Sequence, residues 1–412
     1  MTETQLSREV GGTGTGDASR TARLYALDVL RAVIAFIVVA FHSSESFEPG
    51  AEGWAILDRS ASPLLSVIRH ALASWAMEAM FLTAGFAAAV VVQRRGITAF
   101  ARDRLGRIGV TLAIAWLILY PIAVALWLVG AAKTGNLGKV GIPPELQHLP
   151  LWQLWLGFFI KLQFIPAFNL LHLWFLHQLL VIYAVVVGAR ALWRRLDATG
   201  AARGWLDRRF AGLFASPWCV LAMAALTTPI LGTMANAWKG LVVTSPAYSL
   251  VPYVPTTLLY GLMFVVGWML QRRPEALAPL ARRWWAHLAL ALALVMPTRV
   301  LGLDPDPRYH EVHLALYALM MWGFVLGITG ACVRFFTGPS ARWRYYADAS
   351  YWIYLAHWPV VVVVQILVAD IDVPWPPKLL FINAVVFPVM FLSYRYLVRG
   401  TFVGQQINGR RH

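Results

Sequence analysis

Long apolar stretches alternate with short polar ones along almost the whole chain. A helix that crosses a bilayer needs about 20 mostly apolar residues. Runs of that kind predict ten spans, at residues 24–47, 64–92, 107–130, 170–192, 217–236, 253–270, 284–301, 312–333, 349–369 and 378–397. Residues 151–168 are also apolar, but Lys161, Gln163 and Pro166 interrupt them, so an interfacial or re-entrant segment is predicted there. The pattern predicts an all-α fold, a polytopic integral membrane helical bundle of about ten transmembrane helices.

The composition agrees with this pattern and argues against nucleic acid as a ligand. Hydrophobic residues make up 59% of the 412 positions and charged residues only 13%, which is too little charge for a soluble domain of this size. The net charge is +15, but the basic residues lie in short loops between apolar spans and not on one polar face. Membrane lipid is therefore the expected partner, and nucleic acid is not.

The two cysteines, Cys219 and Cys332, are far apart, and no metal site is predicted.

The distribution of basic residues predicts the orientation of the chain. Of the 35 Lys and Arg residues, 25 fall on the side of the spans that holds both termini, and eight fall on the other side. Cytoplasmic loops of membrane proteins carry such an excess, so both termini are predicted to be cytoplasmic. Residues 1–22 are expected to be a flexible N-tail, residues 23–399 one transmembrane domain, and residues 400–412 a short basic cytoplasmic C-tail.

Charge within the first span is the strongest signal of function. Eleven residues separate Arg31 from His42, which is close to three helical turns, so the two side chains share one face with Asp28. His42 is expected about 16 Å further across the membrane than Arg31. One interpretation is a local Asp28–Arg31 pair with an ordinary histidine at the helix end. The other is that the stripe lines a cavity, because intramembrane ionisable residues usually mark a pathway or a site.

Several sequence blocks occur together in an informative order. They are Leu27-Asp28-x-x-Arg31 followed by His42, Arg104-x-x-Arg107, LLHLWFLHQLLVIY from Leu170, YYADASYWIYLAHWPVVV from Tyr345, and the ending SYRYLVRGTFVGQQINGRR. Over residues 24–411 the chain resembles the membrane-bound acyltransferase-3 family. Its ending is similar to the branch that contains the succinyltransferase of osmoregulated periplasmic glucans.

This resemblance implies a reaction and a place in the cell. The protein would be an O-acyltransferase of the bacterial inner membrane, with no permanently bound cofactor. It would move an acyl group from cytoplasmic acyl-CoA, either succinyl-CoA or acetyl-CoA, to a hydroxyl of an extracytoplasmic glycan such as a periplasmic glucan. A lipid-linked sugar or a secondary metabolite is an alternative acceptor, and the oligomeric state stays open. A secondary transporter of a small anionic solute is the alternative from another class, although no inverted repeat is evident.

The resemblance also implies roles for the donor side and for the base. His42 would act as the general base on the acceptor hydroxyl, and an acyl-histidine intermediate is the less favoured variant. Glu45 follows three residues later and could orient the ring, or it could simply be solvated. The predicted acyl-CoA-binding residues are Asp28, Arg31, Arg102, Arg104 and Arg107, since arginine suits phosphate.

A last group of residues is predicted to bind the acceptor or to line its pocket: Glu78, His172, Trp174, Arg299 and His357. Glu78 interrupts the second span at a position expected to be apolar. His172 and Trp174 could instead be structural interfacial residues, and His357 a core histidine with all its hydrogen bonds made. Among the arginines near the outer ends of spans, which are Arg69, Arg299 and Arg308, we prefer Arg299 as the partner of a succinyl carboxylate.

Overall fold

The computed structural model of the chain describes residues 25–51, 53–234, 242–304 and 306–408. The predicted N-tail at residues 1–22 and the last four residues of the predicted C-tail lie outside this part. The helices are α1 (25–44), α2 (Pro63–Ala73), α3 (Ala76–Arg95), α4 (Ile97–Arg104), α5 (Val110–Lys133), α6 (Leu151–Ile160), α7 (Trp174–Leu196), α8 (Ala201–Ala215), α9 (Cys219–Gly232), α10 (Val254–Arg272), α11 (Leu277–Leu301), α12 (His310–Phe335), α13 (Ala341–Val368), α14 (Trp375–Ser393) and α15 (Phe402–Asn408).

The helices form the predicted membrane bundle. Within the described ranges, nine helical stretches are long and apolar enough to cross a membrane. The pair α8–α9 would make a tenth span, but it is bent by 115° at a break that contains Pro217, a residue that cannot continue the hydrogen-bond ladder of α8. Helix α6 has ten residues. It is about 15 Å long, half of what a bilayer core requires. The all-α polytopic fold is thus confirmed.

Helices α3 and α10 touch along their backbones. A Cβ atom added at Gly85 would lie 1.9 Å from the carbonyl oxygen of Phe264, and one added at Gly267 would lie 1.8 Å from that of Leu82. Each glycine therefore faces the main chain of the opposite helix. Membrane helices associate through such small residues, because lipid provides no hydrophobic force that drives them together.

Helices α1 and α13 lie side by side and run in the same direction. Near the start of α1, the Nη2 of Arg31 donates a hydrogen bond to the carbonyl oxygen of Ala347 at 3.0 Å. Near its end, the rings of His42 and His357 are 5.3 Å apart. Eleven residues of α1 and ten of α13 therefore cover the same rise, about 15–16 Å. The arginine end and the histidine end of the predicted stripe are held apart by both helices.

A buried ion pair fastens the loop between α1 and α2. The Nζ of Lys378 on α14 lies 2.7 Å from the Oδ2 of Asp58, and both side chains are almost fully buried. The backbone of Ser62 also donates to the carbonyl oxygen of Phe47. A pair of opposite charges that is removed from solvent must keep both members, since either one alone would be costly to bury. The loop is thereby fixed over the end of α1.

The contact between α3 and α10 gives a prediction about stability. Gly85→Ala or Gly267→Ala would force the two backbones apart, and overpacking of this kind costs about 1–3 kcal/mol or more. Gly261→Ala on α10 is the matched control, because a Cβ there has no atom within 4 Å. Thermal unfolding in detergent should give lower midpoints for the first two variants and no loss for the control. Equal midpoints in all three would contradict the close crossing.

Candidate active site

The end of α1 is held by two side chains from other helices. The last carbonyl groups of a helix have no partner within it. Here the Nη1 of Arg69 on α2 donates to the carbonyl oxygen of Phe41 at 3.0 Å. The Nε2 of Gln365 on α13 donates to the carbonyl oxygens of His42 at 2.9 Å and Ser43 at 3.1 Å. These bonds fix the backbone that carries the predicted base.

His42 and Glu45 form the hydrogen bond that their spacing allowed. The Nδ1 of His42 lies 2.7 Å from the Oε2 of Glu45. An ionised carboxylate can only accept, so Nδ1 carries a proton, and in the neutral ring Nε2 keeps the lone pair. The side chain of His42 is 18% exposed, so the ring is neither fully buried nor open to solvent. This tautomer is the one that a general base acting through Nε2 requires.

Arg69 binds Glu45 from the side opposite His42. Its Nη2 lies 3.2 Å from the Oε1 of Glu45, while its Nε donates to the carboxylate of Glu48. The guanidinium also lies over the ring of Phe41, with Cζ 4.1 Å from the ring centroid. Arg69 was one of three arginines considered as a partner for a succinyl carboxylate. The structure instead commits it to two carboxylates of the protein.

Tryptophan rings form a wall beside His42. The imidazole stacks on Trp54, with centroids 5.8 Å apart and planes 11° from parallel. Trp54 meets Trp358 edge to face at 5.7 Å, and Trp358 stacks on Trp127 at 4.8 Å. The Nε1 of Trp54 donates to the Oε1 of Gln365 at 2.9 Å, so the amide that caps α1 also orients this ring. The wall presents flat apolar faces next to the hydrogen-bonded imidazole of His42.

Two further histidines complete a row of three imidazoles. The rings of His42 and His357 are 5.3 Å apart, and those of His357 and His172 are 5.1 Å apart. His172 stacks on the other side against Trp358, at 6.4 Å. His172 and His357 were both predicted as pocket residues, and the structure places both next to His42.

The other predicted pocket residues lie elsewhere. Trp174 stacks on Tyr260 of α10 at 5.7 Å. Glu78 on α3 is fully buried, and neither carboxylate oxygen has a hydrogen-bond partner within the described residues. Arg299 follows Thr298, whose hydroxyl lies 2.9 Å from the Nε2 of His70. Over the described ranges, no hydrogen bond, ion pair or ring contact joins Trp174, Glu78 or Arg299 to His42.

The arginine motif lies on an irregular turn. Arg104 is the last residue of α4, and Arg107 lies in a π-helical turn, Leu105–Gly109, that leads into α5. Such turns are frequent at functional sites. The Oδ2 of Asp103 lies 3.7 Å from Arg104 and 3.6 Å from Arg107, so one carboxylate offsets part of the charge of the pair. Arg107 also donates to the carbonyl oxygen of Ile407 on α15.

Three more predicted donor residues lie on the surface of α1 and α4. Arg31 and Asp28 are 3.4 Å apart, as their spacing predicted, and Arg31 also reaches α13. Arg102 is exposed on α4.

Within the part of the chain that the structure describes, no group of three or more His, Cys, Asp or Glu side chains is arranged to hold a metal ion.

A family model described as an acyltransferase domain matches residues 24–395, which include the three histidines, Arg69 and the arginine motif. The chain belongs to the acyltransferase-3 family. It is therefore a membrane acyltransferase. No curated protein and no solved structure gives a significant match. The family match does not separate one branch from another, so the succinyltransferase branch stays a prediction.

Sequence reasoning missed several residues of this acyltransferase site. Gln365 could have been found, because it is the single polar residue in the apolar run from Val360 to Val368. Asp103 could also have been found, four residues before Arg107, at a spacing that brings opposite charges together on a helix. The sequence does not show that Trp54 and Trp358, two of 19 tryptophans, would lie beside His42, because that depends on which helices are neighbours.

Arg69 gives a prediction about catalysis. Arg69→Gln leaves Glu45 free to turn away from His42, so kcat should fall at least about tenfold, part of the 10²–10⁴ that a positioned base typically contributes. Arg69→Lys should be intermediate, since an ammonium cannot reproduce the planar fork of donors. A shift of the pH–rate profile in both variants separates this role from a purely structural one.

The matched control is Arg308→Gln, which removes an exposed arginine that pairs only locally with Asp306. Activity is measured per folded protein after size-exclusion chromatography, since Arg69→Gln leaves two partly buried carboxylates without their cation. A wild-type kcat and pH profile in Arg69→Gln would disprove the positioning role.

Proposed function

We propose that this protein transfers an acyl group, succinyl or acetyl, from cytoplasmic acyl-CoA to a hydroxyl of an extracytoplasmic glycan such as a periplasmic glucan. His42 is the general base, and Glu45 orients it. The observation that carries the proposal is the 2.7 Å bond from the Nδ1 of His42 to Glu45, because it leaves Nε2 as a proton acceptor in a protein of an acyltransferase family. Acid-oriented histidines act in this way in other acyl transfers.

In the proposed step, the bonds formed and broken and the transferred proton are all accounted for by His42 and the two substrates. Nε2 of His42 takes the proton of the acceptor hydroxyl as its oxygen attacks the thioester carbonyl carbon. A carbon–oxygen bond forms, and the carbon–sulfur bond breaks when the tetrahedral intermediate collapses. The leaving thiolate takes the proton from His42, so an ester and free CoA are the products. The base is returned to its starting form, and no proton is consumed.

The charges around His42 support a base at this position. Arg69 carries one positive charge and contacts two carboxylates, those of Glu45 and Glu48. A proton gained by His42 brings these four side chains to neutrality. Charges removed from water are costly unless they are balanced. The partly buried cluster carries one net negative charge when His42 is neutral and none when His42 holds the proton of the acceptor, so that proton is balanced within the cluster.

The opposite end of α1 supports binding of the donor. Arg31 lies at that end, about 16 Å from His42 along the helix. Arg104 and Arg107 belong with Arg31 to the predicted cytoplasmic side of the spans, and arginine binds phosphate through paired hydrogen bonds. The pantetheine arm is long and thin, and a path along α1 and α13 would bring its thioester toward His42. Both termini lie at the arginine-rich side in the predicted orientation, which makes this side cytoplasmic.

A secondary transporter of a small anionic solute is the second candidate, and Glu78 is the observation that favours it. A buried carboxyl group without a partner within a span is a usual mark of a transport pathway.

A lipid-linked sugar or a secondary metabolite would be an alternative acceptor for the acyltransferase.

The reaction can be tested in sealed membranes. Inside-out vesicles that contain the protein receive succinyl-CoA or acetyl-CoA labelled in the acyl group, with β-linked glucan oligosaccharides trapped inside. Label should appear in the trapped glycan as an ester. His42→Ala should reduce this transfer by about 10²–10⁴, whereas His148→Ala, at an exposed loop histidine, should have no effect. Uptake of a labelled anion without acylation would favour the transporter.

The donor end is tested separately. Arg104→Gln removes one of the two guanidinium groups next to Asp103, so the KM for acyl-CoA should rise about tenfold, as expected for one charged hydrogen bond to phosphate. The value of kcat should change little, because the group is far from the reacting atoms. Arg95→Gln, at an exposed arginine at the end of α3, is the control. An unchanged KM in Arg104→Gln would argue against phosphate binding by the motif.

A further inference from the structure

His357 has one nitrogen bound and one nitrogen free. Its Nδ1 lies 2.9 Å from the carbonyl oxygens of both Ile353 and Tyr354, one turn earlier on α13. Carbonyl groups only accept, so Nδ1 carries the proton and Nε2 has a lone pair. The residue is fully buried, and Nε2 has no hydrogen-bond partner within the described residues.

His172 shows the same arrangement with the two nitrogens exchanged. Its Nε2 lies 3.1 Å from the carbonyl oxygen of Leu355, so here Nε2 carries the proton. Its Nδ1 has a lone pair, lies in a residue that is 7% exposed, and has no partner in the described part of the chain. The hydroxyl of Tyr354 donates to the backbone oxygen of His172 at 2.6 Å, which fixes this position further.

The two buried ring nitrogens, next to the proposed base His42, can accept a hydrogen bond but receive none. They indicate a ligand that supplies O–H or N–H donors. Most buried polar atoms in native proteins are hydrogen-bonded, so an unsatisfied one requires an explanation. The thioester group itself has no O–H or N–H to offer. A hydroxyl-rich acceptor has several hydroxyls close together, and the row of three imidazoles presents three lone pairs, on His42, His357 and His172.

We propose that Nε2 of His357 and Nδ1 of His172 each accept a hydrogen bond from a hydroxyl that neighbours the one His42 deprotonates. The two histidines then select acceptors with several adjacent hydroxyl groups over simple alcohols. This inference rests on the proposed acyl transfer and adds the two atoms that read the acceptor. The amide N–H groups of the pantetheine arm are the other possible source of donors.

Matched substitutions distinguish the free nitrogen from the anchoring one. The amide of Gln reaches the Nε2 position of a histidine, and the amide of Asn reaches the Nδ1 position. His357→Gln therefore keeps a group at the free site of His357, whereas His357→Asn keeps only the anchor to the backbone. For His172 the assignments are reversed, so that His172→Asn keeps the free site and His172→Gln keeps the anchor.

The assay compares two acceptors with purified protein in lipid nanodiscs. Acetyl-CoA or succinyl-CoA is the donor, and the acceptors are methyl β-D-glucoside, with adjacent hydroxyls, and 1-propanol, with one. The measured quantity is the ratio of kcat/KM for the glucoside to that for propanol. We expect this ratio to be about tenfold lower in His357→Asn than in His357→Gln, and about tenfold lower in His172→Gln than in His172→Asn.

Each other result overturns the inference. Equal ratios within a pair, or the opposite order, would assign the two histidines to structural anchoring of α13. A change confined to the KM for acyl-CoA would assign the lone pairs to the pantetheine arm. A wild-type enzyme that prefers propanol would likewise contradict the selection of adjacent hydroxyls.

A second measurement on the wild-type protein does not depend on turnover or on the folding of variants. With ¹⁵N-labelled histidine, nuclear magnetic resonance distinguishes protonated from unprotonated ring nitrogens. Addition of methyl β-D-glucoside should move the unprotonated Nε2 signal of His357 and the unprotonated Nδ1 signal of His172, and propanol should move them less. Unmoved signals would refute the inference. If neither alcohol is acylated, the vesicle assay decides the reaction, and this titration decides the role of the two histidines.

Discussion

The position of His42, the proposed base, depends on one buried guanidinium. Arg69 satisfies a carbonyl group at the end of α1, one oxygen of Glu45 and the carboxylate of Glu48 at the same time. A cation at a helix C-terminus is favoured by the helix dipole, and a guanidinium offers enough donors for all three partners. Because Arg69 binds the Oε1 of Glu45, the Oε2 of the same carboxylate is directed at His42. The tautomer of the imidazole therefore follows from packing between α1 and α2.

The parallel pair α1–α13 turns this local arrangement into one that extends across the bundle. Arg31 contacts Ala347 at one end of the pair, and His42 faces His357 at the other. Gln365 then joins the end of α1 to α13 through two carbonyl groups and orients Trp54. A donor that enters at the arginine end and an acceptor that enters at the histidine end would meet beside His42. Neither would need to cross the whole bilayer.

Much of the fold was predictable because each helix that crosses the bilayer needs an apolar run long enough to span the hydrocarbon core. The stripe from Asp28 to His42 and the bond to Glu45 were predictable too, since both depend only on helical periodicity. What could not be predicted depends on contacts between segments far apart in the chain. His172 and His357 were indicated by the family resemblance, but their place beside His42 depends on the packing of the turn before α7 against α13. Trp174, only two residues from His172, stacks on Tyr260 instead. Helix α8 was not predicted, although the predicted span that follows it begins at Pro217, where α8 and α9 are separated.

The two ends of the site differ in how completely their groups are paired, and this difference fits their roles. At the donor end, Asp103 offsets part of the charge of Arg104 and Arg107, and α15 takes one bond from Arg107. A phosphate would compete with these partners, which favours release of CoA after transfer. At the acceptor end, two imidazole nitrogens are left without partners inside a closely packed wall of aromatic rings. Proteins tolerate such unsatisfied atoms mainly where function requires them. In the proposed reaction, this difference would let the arginine end exchange its ligand and the histidine end distinguish one hydroxyl compound from another.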